Sequence, residues 1–264
     1  MKANWKIALM CVATLAFVAC KNDNPDDPED PNGGGGKEPA GYVSPINVKD
    51  KSVADWDELD QTKVSVADMT AEPYYPGLKQ LKVYSDGVYI NYMLVIDPAI
   101  YSSHAGHPDG MHIYLDIDLS DETGGFFDSF ADAAVDLMME GPLFDESGVP
   151  VPYAPNLEQW VGPEGSAYLP SERDTNAKGS WEDSWSLINT IKGESQFIGE
   201  DIVEGRILVD YISTKFSPEG FGIGVDIQQG WETVGLLPQL DAAGENGEFI
   251  GRTNMLYVAF DKAE

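Results

Sequence analysis

Residues 78–96 constrain the fold of this chain more than any other stretch. LKQLKVY at 78–84 and VYINYMLVI at 88–96 are separated only by Ser85, Asp86 and Gly87. Both runs are rich in β-branched and aromatic side chains. An Asp-Gly pair between such runs signals a hairpin, because glycine reaches the positive φ that tight turns require. Further strands are expected at 112–117, 206–212, 221–228 and 253–260, with Gly- and Pro-rich turns between them. Residues 135–140 (VDLMME) fit a strand or a short helix equally well. The sequence contains no long amphipathic helix and no internal repeat. Many short strands between frequent turns predict an all-β fold: a β-sandwich or jelly roll of antiparallel strands, with long loops and at most short helices.

The cysteines say where such a domain works. There are two, Cys11 and Cys20, so the body of the chain has no thiol for a disulfide or a Cys-ligated zinc. Lys2 and Lys6 precede an apolar stretch at 7–18 that is too short to span a bilayer. Phe17, Val18 and Ala19 lead into Cys20. This resembles a bacterial lipoprotein signal, although that family usually has Leu where Phe17 stands. The resemblance implies removal of residues 1–19 and acylation of Cys20 at its thiol and new amino terminus. Residues 20–41 then read as an acidic, Pro- and Gly-rich tether with too little apolar surface to fold. Residues 42–264 form one domain. An acidic stretch after an acylated cysteine also resembles a surface-export signal. The expected location is the outer membrane at the cell surface, with the periplasmic face as the alternative.

Charge narrows the partners. With 16 Lys and Arg against 45 Asp and Glu, the chain carries -29. Nucleic acid and anionic headgroups would be repelled, so membrane attachment falls to the lipid on Cys20. The same acidity offers oxygen ligands to hard cations such as Ca²⁺.

Several local patterns share a likeness. Residues 53–60 (VADWDELD) form a short acidic segment with a Trp before the first strands. Residues 81–84 and 88–90 form an early hairpin. Tyr114 to Gly124 reads as a strand, then Asp116-x-Asp118 and Asp121, then Thr123-Gly124. Ala134, Val135, Asp136 and Glu140 follow as an acidic segment, and 221–231 as a late strand and loop. Together these resemble carbohydrate-binding module family 9. The chain lacks the usual glycine before the Asp-Trp pair, and no catalytic module accompanies it. The resemblance implies a β-sandwich that binds sugar, sometimes with structural calcium, and fits lipoproteins carrying such a domain.

Three constellations could carry chemistry. On a strand, Asp116 and Asp118 share a face, and Asp121 lies in the turn beyond. With Asp136, they are candidate Ca²⁺ ligands, and Glu140 could join if the fold brings it near; no EF-hand pattern is complete. His104 and His107 sit in a Gly/Pro loop, and with His112 they lack the partners of a tetrahedral metal site. Trp160, Trp181, Trp185 and Trp231 lie in Gly-, Pro- and acid-rich segments. Exposed indoles stack on the C–H faces of sugars, while Gln228, Gln229 and Glu232 beside Trp231 could bond hydroxyls. Trp181, Trp185, Gln228, Gln229, Trp231 and Glu232 are therefore the candidate ligand-binding residues. No nucleophile elbow, phosphate loop or zinc-hydrolase motif occurs, so the expected function is non-catalytic glycan binding. The alternative is a structural or assembly lipoprotein that contacts another outer-membrane protein.

Overall fold

The computed structural model describes residues 38–101, 110–120, 123–125, 130, 134–145, 147–161, 185–191, 194–213, 215–230, 232–239 and 255–261. Within them lie twelve strands and three short helices. One sheet has five strands in the order β1-β2-β3-β9-β8: β1 (Ser65–Asp68), β2 (Leu78–Ser85), β3 (Tyr89–Ile96), β9 (Ile202–Leu208) and β8 (Glu194–Ile198). The other has the order β11-β10-β4-β5-β6-β7, and β12 also pairs with β10. These are β11 (Glu232–Leu237), β10 (Gly220–Gln229), β4 (Gly110–Asp116), β5 (Leu137–Pro142), β6 (Asn156–Trp160), β7 (Trp185–Thr190) and β12 (Leu256–Ala259). Each strand pairing is antiparallel. The helices are α1 (Ala54–Glu58), α2 (Pro98–Tyr101) and α3 (Val209–Ile212). Among the described residues no helix is long and apolar enough to cross a membrane.

The expected hairpin is β2–β3, with Tyr84 opposite Asn91 and Gly87 at φ 82° in its turn. The ambiguous segment at 135–140 is a strand, β5, because β4 and β6 take up its backbone on both sides. The strand expected at 206–212 ends at Leu208 and turns into α3.

Period-two alternation gives the seven-stranded sheet two different faces. Met111, Ile113 and Leu115 of β4 point inward with Phe221, Ile223, Val225 and Ile227 of β10. They meet Leu81, Val83, Ile90, Tyr92 and Leu94 from the five-stranded sheet to form the main core. Intervening residues face outward, yet many are buried. Tyr114, Phe130, Val135, Met138, Trp185 and Leu236 make a second cluster there, flanked by Tyr75, Trp160 and Met255. The outer face of the five-stranded sheet is covered by the segment that leads into the domain. Ile46, Val48 and Trp56 pack on Tyr84 and Met93. Trp56 Nε1 donates to the buried Glu204 Oε1 at 2.7 Å. The acidic Trp-bearing segment is thus a structural plug.

Candidate functional site

Three places on the seven-stranded sheet bring polar side chains together. At the C-terminal end of β4, Asp116 faces outward beside Asp136, which immediately precedes β5. Asp118 lies in the turn that follows. One carboxylate oxygen from each lies within 4.8 Å of the others. The backbone arranges them. Leu119 adopts φ 58° and donates its N–H to Asp116 Oδ1 at 2.8 Å, and Ile117 N–H donates to Asp136 Oδ2 at 2.9 Å. Ser120 N–H and the Thr123 hydroxyl donate to Asp118. Burial, then the charge of Asp136, push the Asp116 pKa up to about 7. Oxygens this close could share one metal ion. Beside the carboxylates opens a cavity of about 310 Å³, lined in part by Asp118, Asp136, Gln159, Trp160 and Lys215.

Two pleat repeats back along β4, at His112, is a row of ionisable groups on three adjacent strands. Register places His112 opposite both Glu140 of β5 and Asp226 of β10. The imidazole Nδ1 lies 2.6 Å from Asp226 Oδ1, and Nε2 lies 3.4 Å from Glu140 Oε1. His112 and Asp226 are buried; Glu140 reaches solvent. Burial alone would lower the His112 pKa, but Asp226 and then Glu140 overcome it and raise it to about 10. The Tyr114 ring stacks on His112 with centroids 5.8 Å apart. Glu140 therefore serves His112 and is not among the converging carboxylates.

The third place is a cleft of about 610 Å³ where β11 begins, lined by Tyr74, Tyr75, Pro76, Ile100, Glu232, Thr233 and Val234. Its walls are pinned. Buried Gln239 grips the Tyr75 backbone with both ends of its amide, accepting from Tyr75 N–H at 3.1 Å and donating to its carbonyl at 2.9 Å. Gly77 N–H donates to the Val234 carbonyl at 2.8 Å. On the other side, Gln229 Nε2 donates to the Ile100 carbonyl at 2.9 Å. Tyr74 is 46 % exposed and meets Tyr75 edge-on, with ring centroids 4.7 Å apart. An aromatic corner and a carboxylate in a pre-formed cleft can hold a polyhydroxylated ring by stacking and hydrogen bonding.

The candidate residues from sequence divide among these places. Asp116, Asp118 and Asp136 converge. Glu232 lines the cleft, and Gln229 supports its wall from a buried position. Gln228 lies 3.4 Å from Asp226. Trp185 is buried, edge-on to Trp160 at 5.3 Å, and forms part of the second core. Cys20, His104, His107, Asp121, Trp181 and Trp231 lie outside the described residues. Sequence reasoning missed Tyr74 and Tyr75. Their signal was present: two adjacent aromatics between Pro73 and Pro76 cannot enter a sheet ladder, so they must line a loop. It also missed Gln239, which no local pattern distinguishes.

Comparison with family models, with curated proteins and with solved structures finds no match for this chain.

Proposed function

We propose that this chain is a non-catalytic, lipid-anchored extracytoplasmic protein that binds glycan in the Tyr74–Tyr75 cleft. The observation that carries the reading is the cleft itself: about 610 Å³, with two tyrosines at a right angle and walls pinned by Gln229 and Gln239. The lipid on Cys20 holds the domain at the outer membrane, on the cell-surface side, and residues 21–41 keep it clear of a bilayer that its charge of -29 would avoid. Ca²⁺ held by Asp116, Asp118 and Asp136 stiffens the corner where β4, β5 and β6 meet. Three carboxylates fall short of the ~6–8 oxygens the ion takes, so carbonyls and water complete the shell. A survey of neutral and charged glycans by array and calorimetry, with and without Ca²⁺, tests the reading. Binding lost in Tyr74→Ala is the expected result. Absence of binding to every polysaccharide class refutes it.

A specific observation also favours a second reading, that of an assembly lipoprotein. Among the described residues strand β7 is the edge of its sheet, and Leu187 and Ile188 on it are 60 % and 51 % exposed. Exposed apolar side chains on a sheet edge suit pairing with another outer-membrane protein. Here Leu187→Lys with Ile188→Lys would abolish cross-linking to that partner, and cleft variants would not.

A further inference from the structure

We propose that the cleft takes a saccharide with a free amino group, its ammonium held between the Glu232 carboxylate and the exposed Tyr74 ring. The inference rests on the glycan reading and names the class of sugar. Three observations carry it.

First, among the described residues lining the cleft, Glu232 is the only charged one, and it is exposed. None of these described lining residues is lysine, arginine or histidine. Several described cations are engaged elsewhere: Lys49 and Arg206 with Glu194, Lys63 with Asp261, and Lys79 with Asp97. A uronate, sulfate or phosphate entering the cleft would meet a carboxylate and, among the described lining residues, no counter-charge.

Second, apart from the two tyrosine hydroxyls, the polar side chains of the described lining present acceptors. The Thr233 hydroxyl lies 3.4 Å from Asp226 Oδ2 and can only donate to that carboxylate, which leaves its lone pairs for the cleft. Asp226 is fixed in this role by His112 at 2.6 Å. Glu232 accepts only. A ligand that supplies three N–H donors from one atom satisfies such a lining better than a hydroxyl with one.

Third, Tyr74 and Glu232 line one cleft, and an organic ammonium that reaches both an aromatic face and a carboxylate gains twice, from the ring quadrupole and from the charge. Tyr74 and Tyr75 meet at 82°, so one ring can lie under the sugar while the other closes its end. The net charge of -29 adds a long-range field that concentrates cations around the domain.

Isothermal titration of the full chain with four tetrasaccharides tests the proposal: glucosamine, N-acetylglucosamine, glucose and galacturonate, at about pH 6, where a sugar amine is protonated. The glucosamine tetramer is expected to bind about tenfold tighter than its acetylated counterpart, as for one charge-assisted contact. Raising salt from about 0.05 to 0.5 M should erode that margin, because the Debye length shrinks from about 14 Å to about 4 Å and screens the exposed charge pair. Glu232→Gln should erase it, and an unchanged thermal melt by circular dichroism shows that the variant is folded. Galacturonate should bind weakest. Equal binding of amino and neutral tetramers overturns the amine assignment and leaves the glycan reading standing. Failure of all four to bind overturns the amine assignment, and the wider glycan survey then decides the glycan reading separately. A margin that survives Glu232→Gln, or is lost only in Asp118→Asn, places the ammonium elsewhere and overturns the proposal.

Discussion

The His112 row makes a prediction that can be worked through from distance and burial. His112 bonds Asp226 at 2.6 Å and lies 3.4 Å from Glu140, with the Tyr114 ring stacked on it and Glu158 near Glu140 on β6. Burial pulls the imidazolium down, Asp226 and then Glu140 push it up, and its pKa settles at about 10. The unfolded value is near 6.5. A folded pKa raised above the unfolded one stabilises fully below pH ~6.5, and that stability is lost as pH climbs towards about 10. Between those limits each pH unit removes about 1.4 kcal/mol, so the step from pH 7 to pH 9 removes ~2.5 kcal/mol. With a urea slope of about 3 kcal/mol per molar, the unfolding midpoint should fall by ~0.8 M over that step. His112→Gln should do two things at once. It should lower the midpoint at pH 7, because a buried carboxylate that loses its cation costs about 3–5 kcal/mol. It should also flatten the decline between pH 7 and pH 9. Urea titrations followed by tryptophan fluorescence at these two values measure both. A variant with the wild-type slope would refute the assignment of the slope to His112. A variant with the wild-type midpoint at pH 7 would refute the claim that Asp226 is charged and buried.

Three further outcomes follow from contacts elsewhere. Trp56→Phe removes one of the two donors to buried Glu204, the other being Gln196 Nε2 at 2.9 Å, and should cost about 1–3 kcal/mol by chemical denaturation. Gly224→Ala places a Cβ 2.3 Å from Phe130 Cζ, so it should destabilise by about 1–3 kcal/mol of overpacking, read as a melting temperature several degrees lower. Ca²⁺ should raise the melting temperature in a concentration-dependent way, EDTA should reverse the gain, and Asp118→Asn should abolish it.

The sequence made the hairpin at 78–96, the strand at 112–117 and the strand at 221–228 legible because their apolar and β-branched residues are dense enough to stand alone. Strands β6 (NLEQW), β7 (WSLINT) and β8 (ESQFI) escaped notice for a physical reason. They lie at or next to sheet edges, where half-exposed Gln, Glu, Ser and Asn are tolerated and alternation fades. Convergence of Asp116 with Asp136 depended on β4 and β5 being neighbours, and the spacing of their residues in sequence does not encode that. Trp185 had the local composition of an exposed loop tryptophan. It became core because Tyr114, Met138 and Leu236 lie on the outward face of three other strands and need a cover. Gln229 had the composition of a ligand contact, but period-two alternation from Val225 and Ile227 puts it on the inward face, where it bonds the Ile100 carbonyl.

The two faces of β4 imply two different tolerances to substitution. Met111, Ile113 and Leu115 belong to an aliphatic interior in which volume is the main requirement, so conservative swaps such as Ile113→Val should cost only about 0.5–1.5 kcal/mol. His112, Tyr114 and Asp116 answer instead to named partners: Asp226 and Glu140 for the imidazole, His112 and Phe130 for the ring, and the Leu119 N–H for the carboxylate. Each partner sits on a different element, so a change at one position leaves a buried polar or aromatic group without its complement. The outer face therefore links His112 of β4, through Asp226, to the Thr233 side of the cleft. A double-mutant cycle between His112 and Thr233 should show a coupling energy above 0.5 kcal/mol, the size expected within one polar network, and strict additivity would disconnect the cleft from the buried pair.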